Sequence, residues 1–448
     1  MQLRHLVGPW RSRSTFVFVL AAAAVGLSNL WRFAYLLGAY GGALFLLAYL
    51  VALFTVAVPV LIAEVALGRR VRAPPPVAWG LAARRSRLGR GLEVWALLAC
   101  VAGLLLLAYA VVVAGWSLSY AWHMAARSFA AASARDVAVF LEALLASPGR
   151  MLAWQSAFLA AAVAPVAFGV VRGIGAAAWV LLPALAALLW LLLDFSLRQG
   201  DLAAAQAFLF TSQPLDFDVD ALFLALTQAL FTLGVGLAVG TSFGAYAPER
   251  LPVGRSVLAV AVLDTAVALA TGVIVFPLLF ASNVAPDFGP GLLFVAMPYA
   301  FGNLPEGDAY GCLFYLAVVL AALGTALALL EPSVATLLSA TRMRRWQAAA
   351  AVGAAVWFLA AAVAFSLAPA SPFAGLMSLF DRVTANWLLP AGALAVAVFV
   401  GWRLDPALLY PALRRETGTF LAIWLLLLRF VAPCTLLVVL FRLAVSGG

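Results

Sequence analysis

The chain has 448 residues, of which 66% are hydrophobic and only 10% are charged. A composition this apolar excludes an ordinary soluble domain and predicts a protein that spans a membrane many times. The formal net charge of +9 is carried by arginine, since the sequence contains no lysine. These arginines are spread over several loops, a distribution that does not indicate nucleic-acid binding.

Apolar runs of bilayer-spanning length divide the chain, and we predict a transmembrane helix for each of them. The runs are 14–40, 42–68, 92–125, 151–171, 176–197, 219–246, 255–281, 309–338, 346–368, 373–401 and 418–442. They predict an all-α integral membrane protein that forms a single transmembrane domain over residues 1–448.

The loops between the runs alternate in charge. Arginines dominate one set of loops, at Arg4, Arg11, Arg13, Arg69, Arg70, Arg72, Arg84, Arg85, Arg87, Arg90, Arg172, Arg250, Arg255, Arg342, Arg344, Arg345, Arg403, Arg414 and Arg415. The opposite loops carry Asp136, Glu142, Asp201, Asp216, Asp218, Asp220, Asp287, Glu306 and Asp308. The positive-inside rule therefore predicts a multi-pass protein of the inner (plasma) membrane with a cytoplasmic N-terminus and, given an odd number of spans, an external C-terminus at Gly448.

Two loops have unusual compositions. Residues 69–90 combine a proline run with an arginine-rich stretch, and we expect them to lie at the cytoplasmic surface, attracted to anionic lipid. Residues 282–308 are rich in proline and glycine and are predicted to form a long external loop that caps an entrance.

The first apolar run is interrupted at its middle by GLSN at 26–29 and then by Arg32. Glycine, serine and asparagine are poor helix formers, and an arginine at membrane depth costs at least a few kcal/mol. Irregular backbone is tolerated at that depth only where it lines a cavity or is buried in protein. We therefore predict a broken helix whose freed carbonyl and N–H groups bind a ligand; a signal peptide is the alternative.

The sixth run is interrupted in a similar way, by Gln228, Thr232, Gly234 and Gly236. Breaks at corresponding places of two five-helix halves predict inverted repeats with a binding site near the membrane midplane. We place the first repeat at about 14–197, the second at about 219–401, and an extra helix at about 418–442. Close helix packing is the alternative explanation for either glycine-containing break.

No residue pattern in the sequence favours an enzyme. His5 and His123 lie near the predicted membrane surfaces, and no nucleophile–base pair or metal cluster is apparent. Cys100, Cys312 and Cys434 fall within or beside apolar runs without metal-ligand spacing, and we expect them to be small buried side chains.

Several distinctive motifs extend over essentially the whole chain. They are AVGLSNLWRF at 24–33, the glycine pair at 41–42, AEVALGRR at 63–70, the interrupted segment 228–236, GPGLLFVAMP at 289–298, Glu331-Pro332 and DRVTAN at 381–386. Together they resemble the neurotransmitter:sodium symporters, in particular the bacterial amino-acid branch. The resemblance implies ten core helices in two inverted repeats, with the eleventh outside them, and sodium-driven uptake of amino acids or related amines.

The resemblance also implies two sodium sites built from oxygen ligands, which hard cations prefer. The first consists of Ala24, Asn29, Thr232 and Asp264. The second consists of Ala22, Val25, Ala321 and Thr325, and it lacks one hydroxyl because position 324 is glycine. We expect water to fill the gap, so that this site binds sodium more weakly or transport couples to one sodium only. Gly324→Thr is then predicted to lower the sodium concentration for half-maximal binding. Since a carboxylate in a bilayer is costly unless it is paired with a cation, Asp264 favours a cation site. A structural hydrogen-bonding role for Asp264 is the alternative.

In the same family the substrate carboxylate meets the backbone N–H groups that here belong to Leu27 and Ser28, at the positive end of the outer half-helix. The implied substrate site consists of Ala23, Ala24, Leu27, Ser28, Leu106, Ala110, Phe231, Thr232, Gly234, Leu237, Thr325 and Leu329.

Ala110 occupies the position at which the family has a tyrosine, and the adjacent Tyr109 is expected to face elsewhere. With Ala23, Gly234 and Gly240 leaving further room, we expect a wide apolar cavity and a bulky hydrophobic or aromatic amino acid as substrate. A substrate without a carboxylate is the competing interpretation of Ala110.

Two further groups of residues match the gates of the family. Arg32 and Asp381 match the extracellular gate pair. Trp10, Arg13 and Tyr246 match the cytoplasmic gate, whose aspartate is replaced here by Ser339.

The anion site of chloride-dependent members maps onto Tyr49, Gln228, Thr232 and Ala268. Because Ala268 has no donor and Asp264 already supplies a negative charge, chloride is not expected to be required.

The sequence therefore predicts a sodium-coupled amino-acid symporter that works by alternating access, with sodium ions as its cofactors. Its predicted partners are the amino acid and membrane lipid, and nucleic acid is not among them. Four positions depart from the family pattern: Ala34, Ala110, Gly324 and Ser339. They support the alternative of a weakly transporting or non-transporting descendant that acts as a binding or sensor scaffold.

Overall fold

The computed structural model of the protein describes residues 10–89, 91–210, 217–284, 289–369 and 371–445. The positions Arg4, His5, Arg90, Asp216, Asp287 and Gly448 named above lie outside the described residues.

Nine helices of the described chain are long and apolar enough to cross a membrane. They are Ala43–Val71, Leu92–Ala125, Pro148–Phe168, Val170–Gln199, Val253–Ala281, Gly307–Ala340, Arg345–Ser366, Leu376–Arg403 and Gly418–Val445. A tenth span consists of two helices, Arg13–Ala24 and Ser28–Ala39, which are bent by 49° relative to one another. The predicted all-helical membrane fold with a broken first helix is confirmed.

The sixth predicted span also consists of two pieces, the helices Val219–Thr232 and Val239–Ala245. Between them the backbone has positive φ angles at Gly234, Gly236 and Ala238. Glycine adopts this left-handed conformation at little cost, and a β-carbon at Gly236 would lie 2.6 Å from the carbonyl oxygen of Leu389. The eleven apolar runs therefore correspond to nine continuous helices and two interrupted ones.

Five short α-helices of the described residues connect the spans. They are Pro75–Arg85, Ala134–Leu145, Leu202–Phe210, Ala296–Gly302 and Pro406–Leu413. In Pro75–Arg85 the apolar side chains of Trp79 and Ala82 are buried, while Arg84 and Arg85 are exposed. This segment thus has one face against the protein and one charged face outside it.

The two halves of the first span lie at the centre of the helix assembly. Arg13–Ala24 packs against Val170–Gln199, Val253–Ala281 and Gly307–Ala340, and the last of these packs extensively against Leu92–Ala125. Large apolar side chains such as Trp190 and Phe441 are exposed on the outside, as expected of a surface that faces lipid.

The expected burial of the three cysteines is only partly correct. Cys100 is buried, Cys312 is half-buried and Cys434 is exposed. Cys434 is exposed on a helix that is long and apolar enough to span the membrane, and an apolar side chain on such a helix can face either lipid or protein. Hydropathy does not distinguish these two environments.

Candidate functional site

A cavity of about 320 Å³ lies where the interruptions of the first and sixth spans meet. All twelve residues proposed from the sequence as substrate-binding line it: Ala23, Ala24, Leu27, Ser28, Leu106, Ala110, Phe231, Thr232, Gly234, Leu237, Thr325 and Leu329. The structure thus brings them together from four separate parts of the chain, while their contact with a substrate stays a prediction.

Further residues line this cavity that the sequence did not single out as substrate-binding. They are Trp31, Tyr35, Tyr109, Leu233, Val239, Ala328, Met377 and Ser378, together with the gate residues Arg32 and Asp381. Met377 and Ser378 come from Leu376–Arg403, a helix from which only Asp381 was proposed as a site residue on the basis of the sequence. Their positions depend on how this helix packs, for which the sequence contains no local signal.

Gly240 was expected to enlarge the cavity, and this expectation is wrong. Its N–H donates to Oε2 of Glu64 at 3.1 Å, and a β-carbon there would meet the Glu64 side chain and Leu61. Oε1 of the same carboxylate accepts a hydrogen bond of 2.7 Å from the N–H of Gly236. Glu64 therefore satisfies two backbone donors of the interrupted sixth span, a role that the sequence did not reveal.

A buried carboxylate, Asp264, joins the two broken spans beside the cavity. Its Oδ1 accepts hydrogen bonds from Nδ2 of Asn29 at 2.8 Å and from the hydroxyl of Thr232 at 3.0 Å. Its Oδ2 accepts from the hydroxyl of Tyr49 at 3.2 Å. Asp264 is completely buried, so three of the four residues implied for the first sodium site, Asn29, Thr232 and Asp264, are within hydrogen-bond reach of one another.

No arginine among the described residues forms an ion pair with Asp264. A buried ionised carboxylate without a positive partner is unfavourable, so this cluster is chemically suited to a cation. The oxygens of Asn29 and Thr232 beside it belong to the ligand class that hard cations prefer. Ala24, the fourth predicted ligand, lines the adjoining cavity.

The predicted second sodium site has a different geometry from that expected. We expected the missing hydroxyl at Gly324 to leave a gap for water, but a β-carbon at Gly324 would overlap with the carbonyl oxygen of Ala22. The hydroxyl of Thr325 donates to the carbonyl of Ala23 at 3.2 Å. The two helices are therefore in direct contact at this position, and the expectation of a gap is wrong.

Val25 and Ala321, the remaining ligands implied for the second site, are both buried. Val25 ends the inner half of the first span, because its backbone leaves the helical conformation there. Ala321 lies one helical turn before Thr325 on Gly307–Ala340. Whether their carbonyl groups bind sodium stays a prediction.

Tyr109 was expected to face away from the site, and this expectation is wrong. It lines the cavity, and its hydroxyl donates to Oδ1 of Asp381 at 2.9 Å. Ala110 lines the same cavity, so two consecutive residues of Leu92–Ala125 reach it. The cavity is broad enough to contact both, although they are about 100° apart around the helix.

The residues of the predicted outer gate, Arg32 and Asp381, lie on the cavity wall but are not within ion-pair distance in the described structure. The guanidinium carbon of Arg32 lies over the ring of Phe231, 5.0 Å from its centroid, a cation–π contact. The Nη1 atom of Arg32 is buried without a hydrogen-bond partner among the described residues.

The predicted inner gate residues form a dense cluster. The backbone N–H of Trp10 donates to the carbonyl of Tyr246 at 2.9 Å, and its indole N–H donates to the carbonyl of Val170 at 3.1 Å. Arg13 lies at the edge of this cluster, where its Nε donates to the hydroxyl of Ser256 at 3.1 Å. Trp10 and Tyr246 are both almost fully buried, and their role as a gate stays a prediction.

Ser339, which replaces the family's gate aspartate, bonds within its own helix, to the carbonyl of Thr336. A carboxylate at the inner side is instead supplied by Glu331, which accepts from the hydroxyl of Tyr246 at 2.6 Å. Arg345 forms two contacts with the same carboxylate, one of them at 3.2 Å. In the sequence Glu331 was noted only as part of the motif Glu331-Pro332, and nothing indicated its ion pair with Arg345.

A model of the sodium:neurotransmitter symporter family matches residues 8–135 and 134–446, which is nearly the whole chain. The chain belongs to this family. The transporter is 29% identical to YhdH of Bacillus subtilis, an uncharacterized sodium-dependent transporter, over 97% of each chain. It is 27% identical to an uncharacterized sodium-dependent transporter of Haemophilus influenzae over 96% of each chain.

A solved structure supports the same assignment. The crystal structure of MhsT in complex with L-phenylalanine matches the transporter with a TM-score of 0.87 and 31% sequence identity. The match covers 97% of this chain and 99% of that chain. The protein is therefore a sodium-dependent, multi-pass membrane transporter and not an enzyme, which confirms these three predictions.

Proposed function

We propose that the transporter is a symporter that uses sodium to take up a bulky hydrophobic or aromatic amino acid by alternating access. The observation that carries this proposal is the position of Thr232, which lines the cavity and also donates to the Asp264 carboxylate. A residue shared by two adjacent sites provides a direct physical link between occupancy of one and occupancy of the other.

The cavity is suited to a single amino acid. Its volume of about 320 Å³ is at the lower end of the range of about 300–1,000 Å³ that is typical of small-molecule sites. Most of its wall is apolar, with Leu106, Phe231 and Leu237 among the contacts. MhsT, which shares this fold, is described in complex with L-phenylalanine. The apolar wall and the likeness to MhsT both support a substrate with a large apolar side chain.

The carboxylate of such a substrate has two favourable groups within the cavity. The helix Ser28–Ala39 begins at the cavity wall, and the first N–H groups of a helix attract an anion. The cluster around Asp264 supplies a sodium site beside Ser28, whose hydroxyl is 3.0 Å from Oδ1 of Asn29. A bound sodium ion there favours an anionic substrate end.

We also propose that transport does not require chloride. The hydroxyl of Tyr49, which maps to the family's anion site, donates to Oδ2 of Asp264. Ala268 lies one helical turn further along the same helix and has no donor. The fixed carboxylate thus takes the electrostatic role that a chloride ion has in chloride-dependent members.

We also propose an orientation in the membrane and a division of the chain into two inverted repeats. The N-terminus and the arginine-rich loops face the cytoplasm and Gly448 faces outside, following the charge distribution. Residues of about 14–197 and 219–401 form the two repeats that move relative to one another, and residues of about 418–442 lie outside them. The break in each repeat's first span supports this division.

Uptake into proteoliposomes tests the proposed function. Purified transporter is reconstituted with an inward sodium gradient, and accumulation of labelled phenylalanine, tryptophan, leucine and glycine is measured, with potassium replacing sodium as the reference. We expect sodium-dependent accumulation of the large substrates. Binding of these amino acids without accumulation would favour the alternative of a binding scaffold, and equal uptake in potassium would contradict sodium coupling.

A further inference from the structure

A second cavity, of about 490 Å³, lies apart from the transport site at the end of the molecule that carries the arginine-rich loops. We call it the arginine cavity. Its wall includes Arg85, Arg87, Arg403 and Arg429, with Trp402 and Asp405 between them. The four arginines come from three separate parts of the chain: the end of Pro75–Arg85 and the residues after it, the end of Leu376–Arg403, and Gly418–Val445.

The positive charge of the arginine cavity is not neutralised by the described part of the protein. None of its four arginines forms an ion pair with a carboxylate of the described residues. The one carboxylate in the wall, Asp405, accepts a hydrogen bond from the N–H of Ala407 at 2.9 Å and caps the helix Pro406–Leu413. Four like charges around one cavity repel one another unless an anion lies between them.

The cavity is held in shape by bonds between its elements. Nε of Arg429 donates to the carbonyl of Gly401 at 2.6 Å, and the indole N–H of Trp402 donates to the carbonyl of Arg429 at 2.9 Å. The N–H of Asp405 donates to the hydroxyl of Ser86 at 2.9 Å, which joins the two loops of the wall. Among the described residues Arg429 donates only through its Nε, so its terminal nitrogens are available for a ligand.

The arginine cavity lies at the end of a helix that is long and apolar enough to span the membrane, a position that we infer to be the membrane border. Arg429 belongs to a helix long and apolar enough to span the membrane, and Arg403 ends another such helix. Trp402 and Tyr410 are exposed at the cavity, and exposed tryptophan and tyrosine side chains are typical of the level of the lipid headgroups. Arginine binds phosphate oxygens through paired N–H donors.

We propose that the arginine cavity binds a phosphate group, namely the headgroup phosphate of an anionic phospholipid. Basic pockets between transmembrane helices on the cytoplasmic side are suited to such headgroups. The lipid would join residues 85–87 to the end of Leu376–Arg403 and to Gly418–Val445. This site shares no lining residue with the cavity of about 320 Å³ between the two broken spans, which we call the amino-acid cavity. Its proposal does not rest on the proposed transport function.

Thermal unfolding of the purified full chain in neutral detergent tests the proposal. Dioleoylphosphatidylglycerol, dioleoylphosphatidylcholine or inorganic phosphate is added at matched concentration. The double variant Arg85→Gln/Arg403→Gln removes two exposed arginines of the cavity. The control Arg172→Gln/Arg342→Gln removes the same charge from two exposed arginines of the same predicted membrane side but outside the cavity.

We expect phosphatidylglycerol alone to raise the Tm of the wild type and of the control, and this shift to be lost in the cavity variant. If that variant does not yield folded protein, Arg87→Gln, with its exposed side chain in a loop, is used and the same loss is expected. An equal shift in cavity variant and control overturns the site. A shift of the same size with inorganic phosphate or with phosphatidylcholine overturns its assignment to an anionic lipid.

Discussion

The hydroxyl of Tyr109 donates a hydrogen bond of 2.9 Å to Asp381, and both residues line the amino-acid cavity. The bond links Leu92–Ala125 to Leu376–Arg403 and places a polar hydroxyl one residue from the position where the family's tyrosine is replaced by Ala110. Asp381 is thereby held by a tyrosine rather than by Arg32. Tyr109 thus provides a hydroxyl at the cavity, although the sequence did not indicate this residue as part of the site.

Replacing this hydroxyl tests its contribution to substrate binding. In Tyr109→Phe, Asp381 loses a hydrogen bond to a charged group, which is worth about 1.5–3 kcal/mol. We expect the apparent affinity for phenylalanine to fall by about tenfold, measured as the substrate concentration for half-maximal uptake. Tyr120→Phe is the matched control, because Tyr120 is buried on the same helix and donates outside the cavity, to Phe294. An equal loss in both variants would indicate a general folding defect.

Removing the charge of Asp264 tests the first sodium site. In Asp264→Asn the side chain keeps its size and loses the negative charge that favours a cation. We expect the sodium concentration for half-maximal binding to rise by at least about tenfold, equivalent to about 1.4 kcal/mol. Glu142→Gln, at an exposed carboxylate outside the sites, is the control, and scintillation proximity binding of labelled phenylalanine at varied sodium is the measurement. Unchanged sodium dependence would assign Asp264 a structural role only.

Replacement of chloride by gluconate tests the proposed role of the same carboxylate as a fixed counter-charge. Uptake by the wild type should be the same in both salts, because Tyr49 and Thr232 already bond to Asp264. In Asp264→Asn this charge is lost, and we expect any remaining uptake to become stimulated by chloride. A large loss of wild-type uptake in gluconate would refute chloride independence.

The contact between Gly324 and Ala22 leads to a prediction opposite to that from the sequence. A hydroxyl at position 324 completes a sodium site only if the helices separate, since a β-carbon there would overlap with the Ala22 carbonyl. We expect Gly324→Ala and Gly324→Thr both to lower stability, by about 1–3 kcal/mol for overpacking, and neither to improve sodium affinity. Gly103→Ala is the control, because its β-carbon would meet its nearest neighbour at an ordinary 3.6 Å. Tighter sodium binding by Gly324→Thr would disprove the close contact.

The boundaries of the spans were predictable because hydropathy alone determines which segments enter the bilayer. The run 92–125 coincides with the helix Leu92–Ala125, and the runs 14–40 and 219–246 contain both breaks where glycine and polar residues interrupt them. The twelve cavity residues also came together as expected, because the resemblance to the family extends over the whole chain and implies a place in the fold for residues outside the motifs as well.

The remaining contacts depend on which helix faces meet, which one sequence does not specify. Arg345 is 14 positions from Glu331, and nothing in either neighbourhood distinguishes this pair from other arginines and carboxylates. From the sequence, Gly324 was interpreted as the loss of a hydroxyl ligand. The sequence shows that glycine has no side chain, but it does not show how close the helix of Gly324 lies to the carbonyl of Ala22. The arginine cavity combines residues from positions 85 to 429, so only the fold reveals that these charges are close together.

Ala110 determines how much room the substrate has, and its replacement tests the proposed selectivity. It lines the cavity beside Leu106, where a tyrosine would add a ring of about 150–250 Å² to the wall. In Ala110→Tyr we expect affinity for tryptophan to fall by at least about tenfold, while glycine or alanine gains the hydroxyl as a partner for its carboxylate. Such a gain is worth about 1–3 kcal/mol when the group is charged.

The measurement is equilibrium binding of tryptophan, leucine, glycine and tryptamine to wild type and variant in sodium. The control is Ala110→Ser, which adds a small hydroxyl without bulk and so separates the effect of polarity from that of size. A tyrosine at Ala114 is unsuitable as a control, because Ala114 is completely buried. Wild type should bind tryptophan or leucine most tightly, and Ala110→Ser should keep that order while Ala110→Tyr reverses it. If tryptamine binds wild type as tightly as tryptophan does, the carboxylate is not recognised, and the open space at Ala110 instead indicates an amine substrate.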